Sequence, residues 1–181
     1  VFGARTGKAA ATFAAEAPPP SASVEAQVGD EERRLSDDFF NVTGRTERIA
    51  NLRAEMQMAM EGSAGIYRTG AALAAAADTL GRLRGDAQRL QLDDRSRIFN
   101  TELISALEFG YMLDLAEVIT RSAEARTESR GAHQRTDHPE RDDERFLAHS
   151  LAYRTASGVP RIEYSPVTIT RWPPGERVYG R

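Results

Sequence analysis

The chain has 181 residues, a formal net charge of -3 and no cysteine. This length suits one domain or two small ones, and the slightly acidic balance argues against the basic surface that nucleic-acid binding requires. Without cysteine the chain has no disulfide framework, no thiol catalysis and no thiolate ligation of zinc or iron–sulfur clusters. No run approaches the roughly 18 apolar residues of a membrane-spanning helix, and the N-terminus lacks a signal-peptide pattern.

The first sixteen residues are rich in alanine and predict a helix whose small side chains let neighbouring elements approach closely. Three consecutive prolines follow at 18–20, and they cannot continue a helix because proline lacks a backbone donor and clashes with the preceding turn. We therefore expect an extended linker over residues 17–29, with a domain boundary in it. Helical patterning returns from about residue 30.

Three helices are predicted between residues 30 and 130, and together they favour an antiparallel three-helix bundle. Thr69 is placed to cap the second helix, and Asn100 or Thr101 to cap the third, which extends to about residue 127. The first helix carries an amphipathic stripe at spacings of three and four. That stripe consists of Ile49, Leu52, Met56 and Met60.

The third helix is the longest and carries two apolar bands, which predict packing on more than one side. We expect the first band to be buried in the bundle. Its members are Leu103, Leu107, Tyr111, Leu115, Val118 and Ile119. The second band consists of Ile104, Phe109 and Leu113.

After Gly131 the apolar pattern becomes shorter and typical of β-strands. Ser157-Gly158 predicts a hairpin turn, and Pro173-Pro174-Gly175 ends the last segment. A small β-containing tail over residues 131–181 is therefore expected after the bundle. Its three predicted strand segments are 147–153, 161–164 and 167–172.

Residues 128–143, called the charged loop below, concentrate three arginines, two histidines and five carboxylates around one glycine. Arginine and carboxylate side chains at this density can form bidentate ion pairs. Glycine can adopt a backbone conformation closed to other residues and could end the long helix. We expect a structural ion-pair network that locks the loop in place. Its candidate residues are Glu128, Arg130, Gly131, His133, Arg135, Arg141 and Asp142.

The histidines allow two chemical alternatives. His133, His138 and His149 lie near carboxylates and could bind a metal, but nothing places them on one helix face. His133 could also act as a general acid–base group, because its ordinary pKa lies near neutrality, but other domains would have to supply the pocket. The chain lacks a G-x-G-x-x-G motif, a P-loop, an H-E-x-x-H motif and an EF-hand loop. We therefore predict no catalytic, cofactor-binding or metal-binding residue in it.

Seven ordered blocks make nearly the whole chain resemble the C-terminal region of the fumarate reductase and succinate dehydrogenase flavoprotein subunit. The most specific block is the charged loop, with Glu128 to Arg135 and Glu140 to Asp143. The closing run from Pro173 to Gly180 is more similar to fumarate reductase. The other blocks lie at 1–10, 55–69, 99–103, 146–152 and 163–170.

The resemblance implies that the chain is the tail of a larger α/β FAD-binding flavoprotein. Residues 1–16 would be the last helix of the FAD-binding domain, 30–130 a helical domain and 131–181 a tail domain. FAD would be bound mainly by residues upstream of Val1, where the family's catalytic arginines also lie. The intact subunit would interconvert fumarate and succinate by hydride transfer, and this segment would serve as its structural and docking region.

The resemblance also implies partners: an iron–sulfur subunit directly and membrane anchor subunits indirectly. The protein would then lie at the cytoplasmic face of the inner membrane, as a peripheral component. The charged loop would fix the long helix to the FAD-binding domain. A chain that belongs to a larger enzyme should also expose an apolar patch, which we expect on Phe2, Phe13 and part of the helix over 103–119.

Three alternatives remain open. Succinate dehydrogenase belongs to the same family and differs in the closing Pro-Pro-Gly-Glu-Arg-Val-Tyr pattern. Aspartate oxidase is more remote, and the segment after Arg161 argues against it because that enzyme usually lacks so long a tail. A free-standing helical interaction module without catalytic activity would instead be a compact monomer that folds alone.

Overall fold

The computed structural model of the protein describes residues 2–19, 21–156 and 158–175. They divide into two compact units, Val1–Val42 and Thr43–Arg181. Among the described residues of the first unit, Phe39 alone is buried, so this unit contains very little core. Its elements are α1 (Phe2–Glu16), α2 (Ala22–Leu35) and a π-helical turn (Ser36–Phe40).

The helix predicted for the first sixteen residues is present as α1, but the extended linker predicted over 17–29 is wrong from Ala22 onward. The prolines prevent helix formation only locally, and the sequence after Ser21 contains strong helix formers. Ion pairs one turn apart add support, because Arg34 donates to Glu31 at 2.6 Å and to Asp38 at 3.1 Å. The contact boundary between the two units accordingly lies after Val42.

The second unit is built on three helices that pack against one another: α3 (Ile49–Ala64), α4 (Gly70–Ala87) and α5 (Thr101–Ala125). Arg82, late in α4, pairs with Glu55, early in α3, so these two helices are antiparallel. The predicted fold class, mainly α with a helical bundle and a small β tail, is confirmed. The largest buried side chains of the bundle are Leu73, Leu80, Leu83, Phe109 and Leu113.

Both predicted N-caps are confirmed. The Thr69 hydroxyl accepts a hydrogen bond from the amide of Ala72 at 3.2 Å, and the side-chain oxygen of Asn100 accepts one from the amide of Leu103 at 2.8 Å. Each cap satisfies an amide that has no partner within its own helix. The Asn100 side-chain amide also donates to the Asp94 carbonyl at 2.9 Å, which fixes the preceding turn to the start of α5.

The face of α5 that enters the bundle differs from the predicted one. Tyr111 and Leu115 of the expected buried band are 64% and 63% exposed. Small alanines form much of the buried face, and they let the helices approach closely. Glu117 is buried there because Arg84 pairs with it at 2.9 Å. The buried residues of α5 are Ala106, Phe109, Leu113, Ala116, Glu117, Thr120 and Ala123.

The tail contains one short helix, α6 (Asp143–Phe146), and two two-stranded sheets. The expected strands over 147–153 and 161–164 form an antiparallel pair, whereas the segment 167–172 is not a strand. That segment has the right residue types but no partner strand to satisfy its backbone. The strands are β1 (Tyr67–Arg68) parallel to β2 (Gln134–Arg135), and β3 (Ala148–Tyr153) antiparallel to β4 (Arg161–Pro166).

The hairpin between β3 and β4 turns at Gly158, whose φ of +85° favours glycine. Its amide donates to the Thr155 carbonyl at 3.2 Å. The other half of the predicted turn, Ser157, and the end of the Pro173 to Gly180 run lie outside the described residues. Within the described part of the chain, no helix is both long and apolar enough to cross a membrane.

The buried and exposed faces of α5 predict different effects of substitution on stability. Phe109 is completely buried, so Phe109→Ala should lower the free energy of unfolding by about 3–5 kcal/mol through lost packing and a cavity. In the 181-residue chain, Tyr111→Ala, two residues away on the exposed face, should change it by no more than about 0.5 kcal/mol. Urea denaturation followed by far-UV circular dichroism measures both. A larger loss of stability for Tyr111→Ala than for Phe109→Ala would support the buried band predicted from the sequence.

Candidate functional site

The charged loop begins after α5 has already ended. The helix stops at Ala125, with Arg126 in extended conformation as its C-cap, so the expected termination of the long helix by Gly131 is wrong. Gly131 instead occupies a tight turn in which Arg130 and His133 exchange backbone hydrogen bonds of 2.8 and 3.0 Å. Its φ of +59° stands at the first central position of that two-residue turn, where glycine is favoured.

Glu128 is the centre of the loop, and its side chain is completely buried. Arg130 binds it in bidentate fashion, with Nε to Oε1 and Nη2 to Oε2 both at 2.9 Å. Arg126 donates to Oε1 at 2.6 Å, and the amide of Asp142 donates to Oε2 at 2.8 Å. Burial raises the pKa of the Glu128 carboxyl, but the hydrogen bonds from these donors outweigh it and lower the pKa overall. Glu128 is therefore an ionised and fully satisfied buried carboxylate.

Arg126 is a member of this cluster that sequence reasoning missed, because it precedes the charged loop. Its guanidinium donates to the carbonyls of Phe146 at 2.8 Å and Ala148 at 2.7 Å. The guanidinium carbon also lies 5.3 Å from the ring centroid of Phe146 and 5.6 Å from that of Tyr164. Arg126 thus joins the end of α5 to β3 and β4.

A sequence pattern for Arg126 does exist. Arg126, Glu128 and Arg130 stand two residues apart, and in extended backbone residues with this spacing point to the same side. Two cations that flank a carboxylate in this way can both reach it. The alternation Arg-x-Glu-x-Arg directly after a long helix is therefore the feature that could have identified all three residues.

Arg135 and Asp137 form a second cluster, which contacts two helix termini. Arg135 is 3% exposed and pairs with Asp137 through two bonds, of 2.7 and 2.8 Å. Its Nη1 donates to the carbonyls of Ala123 and Glu124, both at 3.1 Å, in the last turn of α5. Those carbonyls carry the partial negative charge of a helix C-terminus, so the guanidinium compensates it.

Asp137 contacts the opposite kind of terminus. Its Oδ2 accepts from the amide of Gly70, the first residue of α4, at 2.7 Å, where the helix carries partial positive charge. The hydrogen bond from Arg135, with that from Gly70, holds the pKa of the Asp137 carboxyl well below its usual range. A Cβ at Gly70 would lie 3.0 Å from Nη2 of Arg135 and 3.3 Å from Oδ2 of Asp137. The close approach therefore favours glycine at this position.

His133 connects β1 to the end of α5. Its Nδ1 lies 2.9 Å from Nη1 of Arg68, and its Nε2 lies 2.9 Å from the carbonyl oxygen of Arg126. A guanidinium can only donate, so Nδ1 accepts and the neutral ring carries its proton on Nε2. Burial lowers the pKa of His133, and the positive charges of Arg68, Arg135 and Arg126 lower it further. Both ring nitrogens are thus engaged within the protein.

The remaining candidates close the outer side of the loop. Arg141 pairs with Asp143 at 2.9 Å and donates to the Gly175 carbonyl at 3.0 Å. Asp142 is the N-cap of α6 and accepts from the amide of Arg145 at 2.9 Å. These contacts attach the short helix and the following tail to the charged loop.

The three histidines do not come together. His133 is half-buried within the charged loop, whereas His138 and His149 are exposed. Over residues 2–19, 21–156 and 158–175, no group of three histidine, aspartate or glutamate side chains is placed to hold a metal ion. The paired arginines and carboxylates instead make the charged loop, together with Arg126, a clamp that joins the start of α4 and the end of α5 to the β3–β4 hairpin.

Removal of the charge on Glu128 should be costly. Glu128→Gln keeps the size of the side chain but leaves two partly buried arginines without their carboxylate, so the free energy of unfolding should fall by about 3 kcal/mol. Glu140→Gln is the matched control in the same loop, because the Glu140 side chain is exposed. It should change stability by no more than about 0.5 kcal/mol. Equal effects in chemical denaturation would show that the Glu128 cluster is not a stabilising centre.

His133 predicts a pH dependence of stability. Its folded pKa lies below the ordinary value, so between the two pKa values the unfolded chain binds more protons and stability decreases as the pH falls. The melting temperature should therefore drop between pH 7.5 and 5.5. His133→Gln should flatten this dependence, while His138→Gln, at the exposed histidine, should retain it. Parallel curves for all three proteins would contradict the assignment.

Comparison with known proteins places this geometry in a family. A family model described as the fumarate reductase flavoprotein C-term matches residues 53–179. The chain is 51% identical, over its whole length, to a Mycobacterium tuberculosis fumarate reductase flavoprotein subunit, and it spans 32% of that relative. It is 36% identical to a Rickettsia bellii succinate dehydrogenase flavoprotein subunit, over 96% of this chain and 30% of the relative.

Structural comparison agrees. A solved mutant of E. coli quinol fumarate reductase FrdA superposes with a TM-score of 0.83 at 44% identity, and the match covers 92% of this chain and 28% of that one. The chain therefore spans about a third of the length of the relatives that it matches. Because the family model covers most of the chain and the sequence similarity extends through all of it, this protein belongs to the fumarate reductase flavoprotein C-terminal family.

Proposed function

We propose that the chain is the C-terminal structural and docking region of a fumarate reductase flavoprotein subunit. The intact subunit would interconvert fumarate and succinate by hydride transfer with FAD. The observation that carries this proposal is the 51% identity, over the whole chain, to a relative of that name. Residues 1–16 would end the FAD-binding domain, 30–130 would form the helical domain and 131–181 the tail domain.

The residues of this chain do not fit an FAD site of their own. Dinucleotide-binding folds place the pyrophosphate at a glycine-rich turn between a strand and a helix of a parallel sheet. The described part of the chain has two sheets of two strands each, and its parallel pair, β1 and β2, has only two residues per strand, with two helices between them. We therefore infer that FAD is bound mainly by the part of the longer polypeptide that would precede Val1.

The role of the charged loop is to brace the helical domain. Its hydrogen bonds run to the first residue of α4 and the last turn of α5. Arg126, which pairs with Glu128 of the loop, bonds to the start of β3. We also propose that it fixes the long helix to the FAD-binding domain, as the resemblance implies. The described bonds support a simpler effect: the loop makes α4, α5 and the tail one rigid body on which other parts of the subunit can dock.

The proposed partners are an iron–sulfur subunit in direct contact and membrane anchor subunits beyond it. Support comes from the solved neighbour, which is a quinol fumarate reductase. An enzyme that takes electrons from quinol needs a route between the membrane and the flavin. The subunit would then be peripheral, at the cytoplasmic face of the inner membrane, and held there through its partners.

The test is an assay of the full-length subunit encoded by the same gene. The purified protein should carry FAD and should oxidise a reduced dye in the presence of fumarate faster than it reduces an oxidised dye with succinate. A faster succinate reaction would favour the succinate dehydrogenase alternative. Absence of both flavin and activity, in a folded protein, would favour the non-catalytic interaction module.

A substitution at Arg130 tests whether the charged loop supports FAD binding. Arg130→Ala removes the bidentate partner of the buried Glu128, so the full-length subunit should melt several degrees lower and lose FAD faster on dilution. Arg154→Ala, at an exposed position beyond the end of β3, is the matched control and should change neither value. Unchanged melting temperature and flavin release in Arg130→Ala would show that the charged loop does not support the flavin-binding part.

A further inference from the structure

The outer face of α5 carries an apolar stripe that nothing in the described structure covers. Its members stand seven, four and four residues apart, so they share one side of the helix. Glu108 also lies on this side of the helix. The stripe consists of Ile104, Tyr111, Leu115 and Ile119, whose exposed fractions are 54%, 64%, 63% and 49%.

The turn before α5 extends this stripe. Ile98 is 75% exposed and Phe99 is 95% exposed. Phe99 has a φ of +55°, a left-handed conformation that is strained for an aromatic residue. Such strain persists only where surrounding bonds enforce it. Here the Asn100 side chain supplies them, because it donates to the Asp94 and Ser96 carbonyls, both at 2.9 Å. The turn therefore holds two large apolar side chains away from the bundle.

This composition is typical of a permanent contact. Soluble surfaces rarely leave so many large apolar side chains in one patch. Obligate interfaces resemble the hydrophobic core of a domain, whereas transient interfaces are more polar. The stripe contains four aliphatic or aromatic side chains and extends at one end to Ile98 and Phe99.

We propose that the α5 stripe and the Ile98–Phe99 turn are covered by the N-terminal, flavin-binding part of the same polypeptide. Two observations identify this occupant over a separate subunit. The relatives are about three times longer than this chain, which matches their C-terminal domain. In addition, the first unit buries Phe39 alone among its described residues, so it too lacks the segment that completes its core. The inference rests on the proposed function, because it requires that longer flavoprotein.

The test uses the absence of cysteine from the chain. Leu115→Cys is introduced into the full-length subunit, purified as a monomer without partner subunits, and the rate of alkylation at this position is followed by mass spectrometry of its peptide. We expect at least a hundredfold slower alkylation than in the urea-unfolded protein. Asp78→Cys, at an exposed polar position on α4, is the control and should react within a few-fold of the unfolded rate.

Three results would overturn the proposal. Cys at position 115 could react freely in the lone subunit and become protected only after the iron–sulfur subunit is added, which would assign the stripe to that partner. Its protection could vanish on dilution, which would assign the stripe to a second copy. It could also react freely in every state. Any of these in a subunit that still holds FAD and reduces fumarate would reject the contact and leave the proposed function intact.

A second variant tests the turn independently. Phe99→Asn introduces a residue that tolerates the left-handed conformation, and it removes the aromatic ring. If the ring is inserted into the flavin-binding part, this variant should alkylate at least tenfold faster at Leu115→Cys than the parent with Phe99 intact. An unchanged rate would remove the turn from the proposed contact.

Discussion

The buried carboxylate of Glu128 is the constraint on which the second unit depends. A charge removed from water is tolerated only when its hydrogen bonds are complete, and here Arg126, Arg130 and the Asp142 amide complete them. Each donor belongs to a different segment: the end of α5, the tight turn and the start of α6. The need to satisfy one carboxylate therefore fixes how three segments meet, and through Arg126 it also positions the β3–β4 hairpin.

The pair of Arg135 and Asp137 applies the same principle to helix termini. An α-helix ends with unpaired carbonyls and begins with unpaired amides, and the two ends carry opposite partial charges. One ion pair here serves the C-terminus of α5 through its cation and the N-terminus of α4 through its anion. Because α4 and α5 are adjacent and antiparallel, the N-terminus of α4 lies beside the C-terminus of α5. Arg135 and Asp137, two residues apart in the loop, can therefore reach both termini.

Local chemistry was predictable from the sequence, and contacts across the fold were less so. The caps at Thr69 and Asn100 depend on a side chain and an amide three residues away, so spacing alone identifies them. The buried face of α5 depends on neighbouring helices, which accept Ala116 and a paired Glu117 in preference to Tyr111. The local Arg-x-Glu-x-Arg alternation could have identified Arg126, but its partners at Phe146 and Ala148 lie some twenty residues away and depend on the fold.

The difference in burial between the two sets of ion pairs has a consequence for ionic strength. On α2, Arg34 and Glu31 are both about half exposed, so dissolved ions screen their attraction, which is modest to begin with. Glu128 has no exposed surface, and its bonds are largely shielded from such ions. Rising salt should therefore loosen the helix of the first unit while the charged loop keeps its geometry, so the two units differ in their tolerance of high ionic strength.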